Sequence, residues 1–248
     1  MKHRRVNSNG QVFKVYKKED QTKEDQFIYQ FIFDLYKNMV ERCKAFKDFN
    51  NSYCYPYTFG ERQLDSIFLP ALADLCHGKV LTEYPVNRVV KHVDGNEEST
   101  GRVDYLCVYK GRTFFIELKH DHDAFRSGVT SDRTKNRWDV MVDYQLRSLK
   151  ESQYDGSSDS SKAIIRLGLQ FITSTAHMEP TDELIQQFYD NLDDIIERLR
   201  VDLCRRAKKR EPDLIICWKI PYDMVKDCSN GTYPAMTLFA KYKYVSLE

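Results

Sequence analysis

The chain of 248 residues has no excess of charge of one sign: 38 Lys and Arg stand against 37 Asp and Glu, a formal net charge of +1. No global field draws it to a polyanion, so any attraction for nucleic acid must come from local patches. The seven cysteines, at 43, 54, 76, 107, 204, 217 and 228, are odd in number and include no Cys-x-x-Cys pair. That argues against a disulfide framework and a structural zinc. There is no apolar run near the ~18 residues a membrane span needs and no signal-peptide pattern, so the expectation is an intracellular, cytoplasmic protein without membrane contact. No internal repeat is visible, and the only low-complexity stretch is the Ser-rich segment at 156–161. What is present is 42% hydrophobic residues, enough to bury a sizeable core as a single domain over 1–248.

The segment GRVDYLCVYKGRTFFIELK (101–119) carries the most information. Its two arms are rich in β-branched and aromatic residues, and Lys110-Gly111 supplies a two-residue turn. In that register paired positions sum to 221, so Asp104 lies opposite Glu117. Opposed Cβ atoms sit roughly 5 Å apart, where two like charges repel by roughly 3 kcal/mol at an effective dielectric near 20. A favourable cross-strand pair returns only about 0.2–1 kcal/mol, so a cation is expected between them. Lys119, on the same face by the period of two, is one such cation. A hard divalent ion is another, since Mg²⁺ takes one or two carboxylates plus waters and phosphate oxygens. A three-residue loop would shift the register by one and separate the carboxylates. A solvated ladder of crossed ion pairs, with Arg102 facing Lys119, is the alternative reading of the spacing alone.

Asp104 followed by Glu117-Leu118-Lys119 resembles the signature of the PD-(D/E)xK nuclease superfamily, and Gly101-Arg102-Val103-Asp104 is similar to the Gly-x-x-Asp form of its repair and recombination branch. The proline of the family name is absent. The resemblance implies a restriction-endonuclease-like α/β fold: a mixed sheet flanked by helices, in the order helix, three strands, helix, strand (αβββαβ). The flanks suit that order. Residues 60–76 place Leu64, Ile67, Phe68, Ala71, Leu72 and Leu75 at helical spacing, with Pro70 expected to kink or break the helix. A strand at 79–90, a loop at 91–100, the hairpin, a helix over 132–150 and a parallel return strand at 163–172 follow. The core is expected over 55–175, preceded by an arm at 1–20 and a long helix at 21–48, and followed by a helix and strands over 180–246.

By the same resemblance, Asp104, Glu117 and the Leu118 carbonyl would hold Mg²⁺ or Mn²⁺, with Glu61 on the first helix or Glu83 on the next strand as the third carboxylate. Lys119 would orient the attacking water, Gln145 would match a glutamine of related nucleases, and cleavage would leave a 5′-phosphate. The expected function is metal-dependent phosphodiester hydrolysis, with DNA as the partner and a homodimer as a suitable assembly. The rival is a nucleic-acid- or partner-binding module on the same fold without turnover. Residues 120–138 read as a long loop beside the site, in which Arg126, Arg133, Lys135 and Arg137 could grip phosphates and Phe125 or Trp138 stack on a base. His120 and His122 are weaker metal candidates, and the basic segment 198–210 reads first as complementing a helix C-terminus.

Overall fold

A computed structural model describes residues 1–8, 10–46, 55–92, 95–149, 164–205, 207–228 and 231–245. The chain runs β1 (Lys2–Ser8), β2 (Gln11–Lys17), α1 (Lys23–Ala45), α2 (Glu61–Leu75), β3 (Val80–His92), β4 (Gly95–Tyr109), β5 (Arg112–Ala124), α3 (Asp132–Val140), β6 (Ile164–Ala176), α4 (Asp182–Asp190), α5 (Leu192–Cys204), β7 (Leu214–Lys219), α6 (Tyr222–Lys226) and β8 (Thr232–Val245). The strands form one eight-stranded sheet in the order β1-β2-β7-β8-β6-β5-β4-β3. β5 and β6 pair in parallel, the other neighbours antiparallel, so the sheet is mixed.

Helix α1 begins at a capping box: Thr22 Oγ1 accepts from Asp25 N at 3.1 Å and Asp25 Oδ2 accepts from Thr22 N at 2.8 Å. Its apolar stripe, including Phe31, Leu35, Tyr36 and Met39, is buried with α2 and the sheet in the main core. A dimer is therefore not needed to cover it. On the opposite face Trp138, Phe188, Ile196 and Leu199 from α3, α4 and α5 pack over β7 and β8 in a second cluster.

Several expectations change. The arm at 1–20 is a β-hairpin whose second strand pairs with β7, because Phe13 and Val15 alternate into the core. Pro70 lies inside α2 without ending it; Leu64, Ile67, Phe68, Ala71 and Leu72 are buried along the helix and outweigh one missing amide bond. The loop at 91–100 is largely strand, since β3 and β4 pair from Val80↔Cys107 to His92↔Gly95. The expected helix 132–150 passes through a π-helical turn at Met141–Gln145 and ends at Ser148, and the helix expected at the start of 180–246 divides at Asn191. The Ser-rich segment 156–161 lies outside the described residues.

Candidate functional site

The turn at Lys110-Gly111 has positive φ at both residues, 45° and 78°, as a two-residue hairpin with a primed turn requires. Tyr109 faces Arg112 and the register runs to Tyr105↔Ile116, the sum of 221 read from the sequence. Beyond that pair the ladder opens. Asp104 inserts its carboxylate into the gap, and its Oδ2 accepts from Leu118 N at 2.6 Å. The Leu118 carbonyl accepts from Lys119 Nζ at 2.7 Å, and the same ammonium lies 3.3 Å from Asp104 Oδ2. Side chains thus take both backbone groups of Leu118 that a partner strand would otherwise occupy.

The opening has a local cause. Pairing of β3 with β4 skips Glu83 and Asp104, and Glu83 has φ of 51°, a costly conformation for a side chain with a Cβ. The alternation slips there: Val103 joins Val86 and Phe115 in one cluster while Tyr105 and Cys107 join the main core. The pairs on either side, Thr82↔Tyr105 and Tyr84↔Val103, keep one register, so both strands of this hairpin change face together at this level.

Glu117 is buried at 1% exposure on the face covered by α3 and its extension. Its Oε1 accepts from Arg88 Nη2 at 2.5 Å, but its buried Oε2 has no hydrogen-bond partner among the described residues. Burial, then the nearby Asp104 charge, raise its pKa to about 7 against the lowering effect of Arg88 and Lys119. Arg88 is itself buried, donating to the Gln145 carbonyl at 3.0 Å, the Arg102 carbonyl at 2.6 Å and Ser148 Oγ at 3.2 Å. The buried Oε1 of Gln145 also lacks a partner among the described residues. Arg88 escaped the sequence reading; an arginine among valines on a strand was its only signal. The Arg88 side chain crosses β4 at Gly101, where an added Cβ would lie 2.7 Å from Arg88 Nε.

The third carboxylate does not join this pair. Glu61 Oε2 accepts from Arg137 Nη2 and from His120 N, and the exposed Glu83 pairs with Arg102 Nη1 at 3.6 Å. No group of three His, Cys, Asp or Glu side chains converges to hold a metal among the described residues. Two carboxylates and a carbonyl remain. Hard-ion chemistry fits that donor set, because magnesium commonly takes one or two carboxylates and keeps several waters, and Glu117 Oε2 is a buried acceptor in need of a donor or cation. Glu61, Asp65, Glu83 and Asp104 nevertheless line one cleft of about 410 Å³ between α2 and the β3–β4 hairpin. Tyr105 donates to Asp65, whose pKa is raised by burial.

The remaining candidates divide. Residues 120–124 continue β5 rather than forming a loop, with His120, Asp121 and Asp123 buried. His120 Nε2 lies 3.0 Å from Thr173 Oγ1, and burial lowers its pKa to about 3; burial also lowers that of His122. Trp138 is fully buried and donates to the Arg210 carbonyl, while Phe125 packs on Phe188, so neither is free to stack on a base. Arg126 contacts Met178 and Lys135 pairs with Asp132. In the basic segment 198–210, Arg205 and Arg210 pair with Asp139, and Lys209 and Arg210 with Asp143. The six described cysteines are buried, Cys43, Cys76, Cys107, Cys204 and Cys217 as free thiols, and Cys54 lies outside the described residues.

No protein-family model matches the sequence, and no curated protein matches it. A solved structure described as the crystal structure of SSO0001 is similar at 15% identity over 74% of this chain and 89% of that one, with a TM-score of 0.21. A likeness that low carries no argument about fold or function. No helix among the described residues is long and apolar enough to cross a membrane.

Proposed function

We propose that the protein is a metal-dependent nuclease of the PD-(D/E)xK type with a restriction-endonuclease-like core, acting on DNA. The observation that carries this reading is the half-compensated carboxylate: Glu117 keeps one buried oxygen without a donor beside Asp104, where the β4–β5 ladder opens. The element order α2, β3, β4, β5, α3, β6, with a parallel β5–β6 pair, supports it.

Asp104, Glu117 and the Leu118 carbonyl would hold Mg²⁺ or Mn²⁺. Such an ion supplies Lewis-acid polarisation of a phosphoryl oxygen and a more acidic bound water. Lys119, held by Asp104 and its own strand, places a compact positive charge at the mouth of the opening, where it would orient a water and offset charge on the attacked phosphate. Attack in line with the 3′ oxygen would leave a 5′-phosphate. Arg88 fixes the Glu117 rotamer from the buried side and leaves Oε2 for the ion. Gln145 contributes its carbonyl to that arginine, a positioning part.

The absence of a converging third carboxylate among the described residues favours the rival, a nucleic-acid-binding module without turnover. Incubation with plasmid and single-stranded DNA in Mg²⁺, Mn²⁺ or chelator separates the two. Cleavage that needs metal and disappears in Asp104→Ala and Lys119→Ala supports the nuclease. Retained DNA binding with no cleavage under either metal supports the module.

A further inference from the structure

Beside the acidic cleft lies a wider one of about 740 Å³ between the first turns of α2 and α3; Glu61 and Arg62 line both. Its character differs, because it adds Arg133 and Arg137 to Arg62. Arg62 is exposed and has no ion pair or hydrogen bond among the described residues. The Arg133 side chain is 79% exposed, and its guanidinium reaches Asp121 only at 3.6 Å. Arg137 is held from below by Asp121 at 3.2 Å, by the His120 carbonyl at 2.9 Å and by Glu61. Asp121 is itself fixed by Gln170 Nε2 at 2.9 Å. Carboxylates thus orient Arg137 from the protein side, while Arg62 and Arg133 keep donors for the solvent side.

We infer that this arginine-lined cleft is a phosphate subsite, holding a phosphate of the nucleic-acid strand next to the one that lies in the acidic cleft. The inference rests on the nuclease reading for the neighbouring cleft, but its evidence is separate. Three guanidiniums around one cavity suit the planar, multiply accepting phosphate group better than a neutral ligand. The positive ends of α2 and α3 at the walls add to the same preference. With a formal net charge of +1, binding of a polyanion has to be local, and this cavity adjoins the carboxylates. A terminal monoester and an internal diester present the same chemistry to these arginines.

Binding of fluorescent single-stranded oligonucleotides, with and without a 5′-phosphate, is measured by anisotropy in Ca²⁺ and in chelator over a range of salt, for the wild type, Arg62→Ala, Arg133→Ala and the double variant. Both side chains are exposed, and thermal melts verify folding. The expected result is at least tenfold weaker binding in the double variant and a log–log salt slope shallower by roughly 0.7, the contribution of one phosphate contact on single strands. Preference for the 5′-phosphorylated strand that vanishes in the double variant identifies a terminal phosphate; equal loss on both strands identifies an internal one. Unchanged affinity and slope in the folded double variant, or a wild type that binds neither oligonucleotide, overturns the inference. Calorimetric titration of Mg²⁺ into wild type and Asp104→Ala judges the metal reading separately, so either can fail alone.

Discussion

Strand β5 carries three buried carboxylates, and their treatment differs. Asp123 receives both guanidinium nitrogens of Arg198, at 3.2 and 2.5 Å, one on each oxygen. Asp121 takes Arg137 on Oδ1 and Gln170 on Oδ2. Glu117, four residues before Asp121 and the most deeply buried of the three at 1% exposure, is given a donor on one oxygen only. Where a carboxylate serves the fold, residues distant in sequence, on α3, α5 and the neighbouring strand β6, supply a donor to each oxygen. In the function proposed above, the deficit at Glu117 is the place that the metal ion would fill.

The largest test of this contrast is to break a compensated pair. Asp123→Ala leaves Arg198 with only Thr130 Oγ1 as a bonded neighbour among the described residues, at 3.1 Å. Losing one partner of a buried pair costs about 3–5 kcal/mol, so the urea midpoint should fall steeply, while the proposed DNA cleavage, measured per folded molecule, should be unaffected. A loss below about 1 kcal/mol would show that Asp123 is as dispensable to the fold as a surface ion pair.

Glu117→Gln should do the opposite. A carboxyl whose folded-state pKa is raised binds its proton more tightly when folded, so it adds stability at low pH. That stability is fully present below the ordinary value of 4.5 and is lost as pH rises through about 7. At about 1.4 kcal/mol per pH unit of displacement, the loss is capped at roughly 3 kcal/mol. Metal-free wild type should therefore weaken between pH 4.5 and 7 and level off above. Glu117→Gln should remove that part of the slope and be the more stable protein at pH 8, with nuclease activity abolished. Equal pH profiles of urea unfolding for the two would contradict the account of Glu117 as an uncompensated charge.

The central hairpin was legible because one short turn fixes it: Lys110-Gly111 admits positive φ at both positions, and every pair down to Tyr105↔Ile116 follows. The pairing of Asp104 with Glu117 was legible only as proximity. The ladder ends one step earlier, since the slip at Glu83 and Asp104 depends on how two strands bend together. Polar content misled at 120–124, where His120, Asp121 and Asp123 look solvated but are buried, the two aspartates against Arg137, Arg198 and Gln170. Those partners lie 16 to 75 residues away, beyond any local pattern. The arm expected over 1–20 left out the Phe13 and Val15 alternation that places β2 in the sheet. Glu61 was correctly placed on α2, but Arg137, which turns it aside, comes from another helix.

The smallest effect comes from the backbone beneath Arg88. A Cβ at residue 101 would meet Arg88 Nε at 2.7 Å and Cδ at 2.9 Å, so Gly101→Ala must move the guanidinium that holds Glu117. Overpacking of this kind costs about 1–3 kcal/mol. If the strain acts through the Arg88–Glu117 contact, the penalty at pH 8 should shrink when Gly101→Ala is made in the Glu117→Gln background, because the charge that depends on Arg88 is already gone. A double-mutant cycle on unfolding free energies reads this directly, with a coupling above about 0.5 kcal/mol expected between residues sharing a partner. Strict additivity would mean that Gly101 is needed only for space along β4, and that Arg88 holds Glu117 equally well from a displaced position.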